Sequence, residues 1–253
     1  MKRKNNKNQH TQVQVLAVIP ARGGSKSIPH KNIAQVGGKP LIYYTIREAN
    51  RAKRLDAVIV STDDPVIAEV ARSYGADVPF LRPKKYAGDH SRDIEFLRHA
   101  VLWVEKHRGW KPEIVIFLQP TSPTRTGADI DAVIDFMERE QCDSVRTVVP
   151  PPYHPLKMMV VTDGKKQRIV PIISIVPSLR RLGADVPRQL LPTAVQPVGL
   201  VYATRTHFIK KGRVWGDDVR AFFMPREKLT DIDTVEDLIS AGDTLRSLGL
   251  LDP

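Results

Sequence analysis

Short β-branched apolar runs recur along this chain, and helical patterns separate the first four of them. The runs are VQVLAVI (13–19), AVIV (57–60), EIVIFL (113–118), SVRTVV (144–149) and, later, VGLVYA (198–203). Between them, Pro40 stands at the first turn of a helix over 40–52, where a missing N–H costs least. Asp64-Pro65 opens a second helix, with Val66, Ile67, Val70, Ala71 and Tyr74 on one face and Gly75 closing it. Ser91 is positioned to cap a helix over 92–107. Thr126 is positioned to cap 127–140, whose core face is Ile130, Val133, Ile134 and Met137. Strands alternating with helices predict an α/β fold with a doubly wound, mostly parallel sheet. Its binding crevice then lies at the carboxyl ends of the strands.

The rhythm breaks at about 150–197. Pro150-Pro151-Pro152 begins a proline-dotted stretch with short apolar runs and no long amphipathic helix. It predicts a small β-rich excursion that covers a site or meets a second subunit. A strand at 198–203, another near 220–224 and a helix from 234 to about 247 follow. The expected organisation is a basic, disordered tail over 1–12 and a single domain over 13–253 carrying the inserted segment.

At 253 residues, 42% hydrophobic and 26% charged, the composition is that of an ordinary globular protein. No apolar run approaches the roughly 20 residues that span a bilayer. The sequence MKRKNNKNQHTQ has no apolar stretch of the kind that directs secretion. Cys142 is the lone cysteine, which excludes an intrachain disulfide and a cysteine-built zinc site. A cytoplasmic protein is therefore expected. The net charge of +11 raises nucleic acid as a partner, but residues 1–10 alone hold Lys2, Arg3, Lys4 and Lys7 and no acid. The remaining excess is dispersed and accompanies no recognisable nucleic-acid module, so specific nucleic-acid binding is not expected.

Chemistry-bearing residues gather where strands end. The first run stops at Pro20, and residues 17–33 read AVIPARGGSKSIPHKNI. Arg22 and Lys26 bring positive charge, while Gly23 and Gly24 let backbone N–H groups approach an anion. Such a loop suits a triphosphate. It is neither G-x-x-x-x-G-K-[ST] nor a G-x-G-x-x-G turn into a helix, because Ile28-Pro29 keeps the chain extended. Ser61-Thr62-Asp63-Asp64 and Gln119-Pro120-Thr121-Ser122-Pro123 follow later strands, His154-Pro155-Leu156-Lys157 lies in the excursion, and Asp231-Ile232-Asp233-Thr234 precedes the last helix. Each also has a plain structural reading: Asp64 as a helix cap, Gln119-Pro120 as a strand end, His154 as a packed or solvated ring. Asp233 with Glu236 fits a capping box. In an extended segment, alternation would put Asp231 and Asp233 on one side and turn Ile232 into the core. Two hard oxygen donors so placed suit Mg²⁺ carrying a triphosphate.

Seven segments in order, IPARGGSKSIPHKNI, IVSTDD, FLRPKKYAGD, LQPTSPTRTG, YHPLK, PRQLLP and DIDTVEDL, resemble those of the CMP–sialic acid synthetases (acylneuraminate cytidylyltransferases) and their relatives acting on other nine-carbon keto sugar acids. The resemblance implies a Rossmann-like nucleotidyltransferase that moves CMP from CTP to the anomeric hydroxyl of such an acid and releases pyrophosphate. It implies that Arg22, Gly23, Gly24, Ser25, Lys26, Lys31, Asn32, Arg82 and Asp89 hold the nucleotide, and that Gln119, Lys157, Arg188 and Gln196 face the sugar acid. It further implies that Asp231 and Asp233 hold Mg²⁺, that Arg22 and Lys26 share the catalytic role with them, and that the excursion builds a homodimer. One departure bears on the acceptor. After PRQxxP the sialic acid enzymes usually continue with arginine, proline, asparagine and glycine, whereas this chain reads Gln196-Pro197-Val198-Gly199. Loss of a cation and an amide favours a legionaminic, pseudaminic or other less polar acceptor over sialic acid. The same chemistry on an eight-carbon keto acid or with another nucleotide, and a non-catalytic nucleotide-binding protein, are the alternatives.

Overall fold

The computed structural model describes residues 13–252, so the expected basic tail over 1–12 lies outside the described residues. The chain divides into two compact units, one formed by the described residues up to Thr147 together with those from Val198, the other by Val148–Pro197.

In the first unit β1 (Val15–Pro20) leads to a small hairpin of β2 (Gln35–Val36) and β3 (Lys39–Pro40), then α1 (Leu41–Arg51), β4 (Ala57–Ser61), α2 (Pro65–Ser73), α3 (Asp93–Arg108), β5 (Ile114–Phe117), α4 (Gly127–Glu140) and β6 (Ser144–Val149). The second unit carries β7 (Met159–Asp163), β8 (Arg168–Pro171) and the one-turn α5 (Ile172–Ile175). The chain returns through β9 (Gln196–Arg205), α6 (Thr206–Lys210), β10 (Val219–Phe223) and α7 (Val235–Ser247).

The central sheet has the order β10-β6-β9-β5-β1-β4. β1 pairs in parallel with β4 and with β5, as the strand–helix rhythm predicts. β9 enters against that direction, antiparallel to β5 with Ile114 opposite Arg205 and Phe117 opposite Tyr202. Contacts to β6 run the same way, from Asp143–Arg205 through Ser144–Thr204 to Thr147–Val201. β6 therefore points with β5.

Period-2 alternation along β1 fixes the layers. Leu16 and Val18 join Phe96, Leu97, Ala100 and Val101 of α3 in one buried cluster, so Ala17 and Ile19, also fully buried, face the other side. Among the described residues no helix is long and apolar enough to cross a membrane.

Local capping matches the sequence in part. Asp64 accepts from the N–H groups of Val66 (2.8 Å) and Ile67 (3.3 Å), and Thr126 caps α4. Two boundaries differ. α3 starts one residue later than expected, with Arg92 at its N-cap, because Glu95 reaches back to the Arg92 N–H and Ser91 instead binds Gly88 N–H. At α7 the box is Thr234 with Asp237, not Asp233 with Glu236. The Asp237 carboxylate accepts from the N–H groups of both Asp233 (3.0 Å) and Thr234 (2.8 Å). The Asp233 side chain is thus free of any capping duty. Thr234→Ala should cost about 1 kcal/mol in a urea titration. Asp233→Asn should stay within about 0.5 kcal/mol of wild type, since the lost carboxylate is exposed and Lys31 keeps its bond to the Ile232 carbonyl.

Candidate functional site

Basic and polar side chains converge at the carboxyl end of β1 and β5, around a cleft of about 580 Å³. Its walls include Arg22, Ser25, Lys26, Lys31 and Asn32 from the loop after β1, Arg82 and Asp89 from the segment before α3, Gln119 after β5, and Asp233. Nine of the residues expected from the sequence thus share one cavity, the crevice expected of a doubly wound sheet.

The glycine pair plays a different part from the expected one. Gly23 and Gly24 do not line the cleft, and the Gly23 N–H already donates to Asp63 Oδ1 at 3.0 Å. Gly23 is required because a Cβ there would come within 2.6 Å of Asp64 Oδ2. The acids following β4 therefore shape the loop from behind. Asn32 tightens it further, donating from Nδ2 to the Arg22 carbonyl at 3.0 Å.

On the cleft side, Asp89 bridges two cations: Arg22 Nη1 to Oδ1 and Lys26 Nζ to Oδ2, both 2.8 Å. The hydrogen bonds from Lys26 and then Arg22 hold its carboxyl below the ordinary aspartate range. Arg82 is different. It is 5% exposed, donates from Nε to Ser61 Oγ (3.0 Å) and from Nη2 to the Ser61 carbonyl, and lies 4.8 Å from the Phe96 ring centroid. Burial lowers its pKa to about 10, with Asp63 opposing the shift and Arg22 adding to it. Its guanidinium is a fixed wall. Asp93 beside it was not signalled by the sequence; it lines the cleft, and burial raises its carboxyl against the pull of Arg146 and Arg82. Its place as the first residue of a helix reads as simple macrodipole compensation, so pattern alone hides it.

At the far wall, alternation holds. Ile232 is fully buried in a cluster with Ile28, Tyr44, Ala241 and Leu245, while Asp231 and Asp233 are exposed on either side of it. The Ile232 N–H donates to the Thr121 carbonyl at 3.0 Å, which ties this segment to the loop carrying Gln119. Burying that one isoleucine side chain contributes about 1.5–3 kcal/mol to fixing the two aspartates. Lys31 Nζ reaches Asp233 Oδ1 at 3.0 Å and the Ile232 carbonyl at 2.7 Å. The Asp231 carboxyl does not line the cleft. It is raised above its usual range, first by loss of hydration against the surrounding protein, although the residue as a whole stays exposed, and then by the charge of Asp233.

Lys157, Arg188 and Gln196 belong to the second unit. There the Lys157 ammonium donates to the Val186 carbonyl, Arg188 opens a 3-10 turn (Arg188–Leu190), and His154 Nε2 lies 2.9 Å from the Pro192 carbonyl oxygen. Among the described residues, no group of three or more His, Cys, Asp or Glu side chains is arranged to hold a metal ion by itself.

Comparison with known proteins agrees with this architecture. A family model described as cytidylyltransferase matches residues 16–155, more than half of the chain. The chain is 29% identical over 226 residues to an N-acylneuraminate cytidylyltransferase of Escherichia coli, an alignment covering 87% of this chain and 49% of the relative. It is 43% identical over 113 residues to a CMP-N,N'-diacetyllegionaminic acid synthase of Legionella pneumophila, covering 45% and 48% respectively. The aligned parts thus span about half the length of each of these relatives. Among solved structures, CMP:2-keto-3-deoxy-manno-octonic acid synthetase complexed with CTP has the same fold, with a TM-score of 0.66 at 19% identity over 92% of this chain and 99% of the other. The chain belongs to the cytidylyltransferase family.

The raised Asp231 carboxyl has a measurable sign. A group that holds its proton more tightly folded than unfolded contributes stability that is present at low pH and lost as pH rises through its folded pKa. Asp231→Asn cannot ionise and avoids that loss. Urea midpoints taken between about pH 3 and 8 should show wild type falling relative to this variant as pH rises, with the variant at least as stable at neutrality.

Proposed function

We propose that this protein transfers CMP from CTP to the anomeric hydroxyl of a nine-carbon α-keto sugar acid. The supporting observation is the single cleft in which Arg22, Lys26, Lys31, Asn32 and Arg82 face Asp233 and Gln119. Five basic and amide side chains around one cavity suit a triphosphate, and Gln119 supplies both donors and an acceptor for a polyol.

In the reaction the sugar oxygen forms a bond to the α-phosphorus as the bond from that phosphorus to the bridging oxygen of pyrophosphate breaks. The hydroxyl proton leaves to solvent. Arg22 and Lys26 stabilise charge on the departing pyrophosphate, Asn32 and Arg82 fix the nucleotide, and Gln119 orients the acceptor; the work is positioning and electrostatics. Asp231 and Asp233 fit a divalent cation: both are hard oxygen donors, and positive charge would offset the repulsion from Asp233 that adds to desolvation in raising Asp231. Mg²⁺ held there would neutralise triphosphate charge.

The second unit fits a homodimer contact in which Lys157 and Arg188 serve a partner's site. It exposes Met159, Val161 and Ile169 on its hairpin, together with Ile175 and Leu190. Cys142 is a free, buried thiol, in keeping with a reducing cytoplasm. For the acceptor, legionaminic or pseudaminic acid is favoured over sialic acid, because Val198 is an apolar, 4% exposed side chain at the position where the sialic acid pattern has an amide.

Pyrophosphate release with a panel of nucleotides and sugar acids tests the whole reading. CTP with a nonulosonate should be the productive pair, and kcat/KM should favour legionaminic or pseudaminic acid; a preference for sialic acid would reverse the acceptor assignment. Asp233→Asn should abolish turnover in a folded protein. Asp89 occupies the two cations that the triphosphate needs, so Asp89→Asn should tighten CTP binding several-fold in calorimetry. Weaker binding by that variant would show that the carboxylate serves the nucleotide directly.

A further inference from the structure

Among the described residues, Arg125 is the largest side chain with no exposed surface. Its Nε donates to the Leu200 carbonyl (2.5 Å), Nη1 to Thr45 Oγ1 (2.6 Å), and Nη2 to the carbonyls of Gly199 (3.0 Å) and Gln119. Every one of these partners is a neutral oxygen. Burial lowers the guanidinium pKa to about 9, and Tyr202, Asp129 and Glu48 only partly offset this. A desolvated cation without a bonded carboxylate is costly, and an apolar side chain of similar volume would fill the space more cheaply. What the planar fork does, and an apolar chain cannot, is hold two backbone segments at fixed separation.

The two segments meet again on the cleft side. A Cβ on Gly199 would overlap Gln119 Oε1 and lie 2.7 Å from Ser122 Oγ. The Gln119 amide is therefore seated on bare backbone, while its own main chain and that of its seat hang from one guanidinium. Ser122 Oγ is buried beside this contact without a hydrogen-bond partner. Nothing but the absence of a side chain at position 199 lets the amide lie there.

We infer that Arg125 and Gly199 are positioning residues that set the Gln119 amide against the acceptor and so govern acceptor affinity separately from CTP affinity. This rests on the reading of Gln119 as an acceptor contact. The assay is steady-state KM for the sugar acid and for CTP in wild type, Gly199→Ala, Gln119→Ala, the double variant, Arg125→Lys and Arg125→Met, with Tm for each. Gly199→Ala displaces the flexible end of Gln119 and also crowds the buried Ser122 hydroxyl, so its Tm reports whether the backbone absorbs the methyl group. The substitution should raise the acceptor KM about tenfold or more and leave the CTP KM within about twofold. In the Gln119→Ala background the same change should add little to the acceptor KM, because the displaced amide is gone and only the Ser122 contact remains. Arg125→Lys should fall between wild type and Arg125→Met in acceptor KM. Equal shifts in both KM values, or full additivity of Gly199→Ala with Gln119→Ala, would overturn the positioning role even if Arg125→Met fails to fold. An unchanged acceptor KM in Gln119→Ala would instead overturn the reading beneath it, and this inference with it.

Discussion

The cleft depends on one reversal of direction. β9 runs between β5 and β6 against both, so its first residues, not its last, arrive at the end of the sheet where the loops after β1 and β5 gather. Had it entered in parallel, Arg205 would stand where Gly199 now lies against Gln119. Antiparallel entry lets bare backbone at the start of a strand meet a side chain at the end of another. The same entry presents the carbonyls of Gly199 and Leu200 to a guanidinium from the following loop.

Around that frame the protein supplies its own anions. Arg22 and Lys26 share Asp89, Lys31 takes Asp233, and the Gly23 N–H takes Asp63. A cavity meant for a highly charged ligand would otherwise hold several like charges in close quarters, and their mutual repulsion would oppose the folded loop. The internal carboxylates settle the free protein, and the ion pairs to Asp89 and Asp233 are weak because those carboxylates keep contact with water. Arg82 stands apart: sunk into the wall and held to Ser61, it has no freedom to exchange.

Much of this was legible from the chain. Strand runs bounded by proline and glycine and helices with clear apolar stripes gave the alternation, and Asp231-Ile232-Asp233 obeyed the period-2 rule because Ile232 had a core to enter. Residues from four distant segments fell into the cleft, and those after β1 and β5 did so because they lie just beyond strand ends. The direction of β9 was not legible, since period-2 patterning is identical for either orientation and pairing partners are set by long-range packing. The capping register at α7 also escaped: Asp233-x-x-Glu236 and Thr234-x-x-Asp237 are both acceptable boxes one residue apart, and only the backbone decides between them. Arg125 was invisible for another reason. In a stretch of proline, serine and threonine an arginine reads as solvent-exposed, and nothing local announces that four oxygens from three segments will surround it.

The seam where the second unit leaves and rejoins the sheet has its own meaning. β6 and β9 are adjacent strands, and Thr147 Oγ1 donates to the Val198 carbonyl at 2.9 Å, so the chain departs and returns through neighbouring doorposts. Closing a loop whose ends are already hydrogen-bonded costs little more for fifty residues than for twenty. The intervening segment is then a cassette. It can lengthen, shorten or be traded for another without disturbing the register of the sheet.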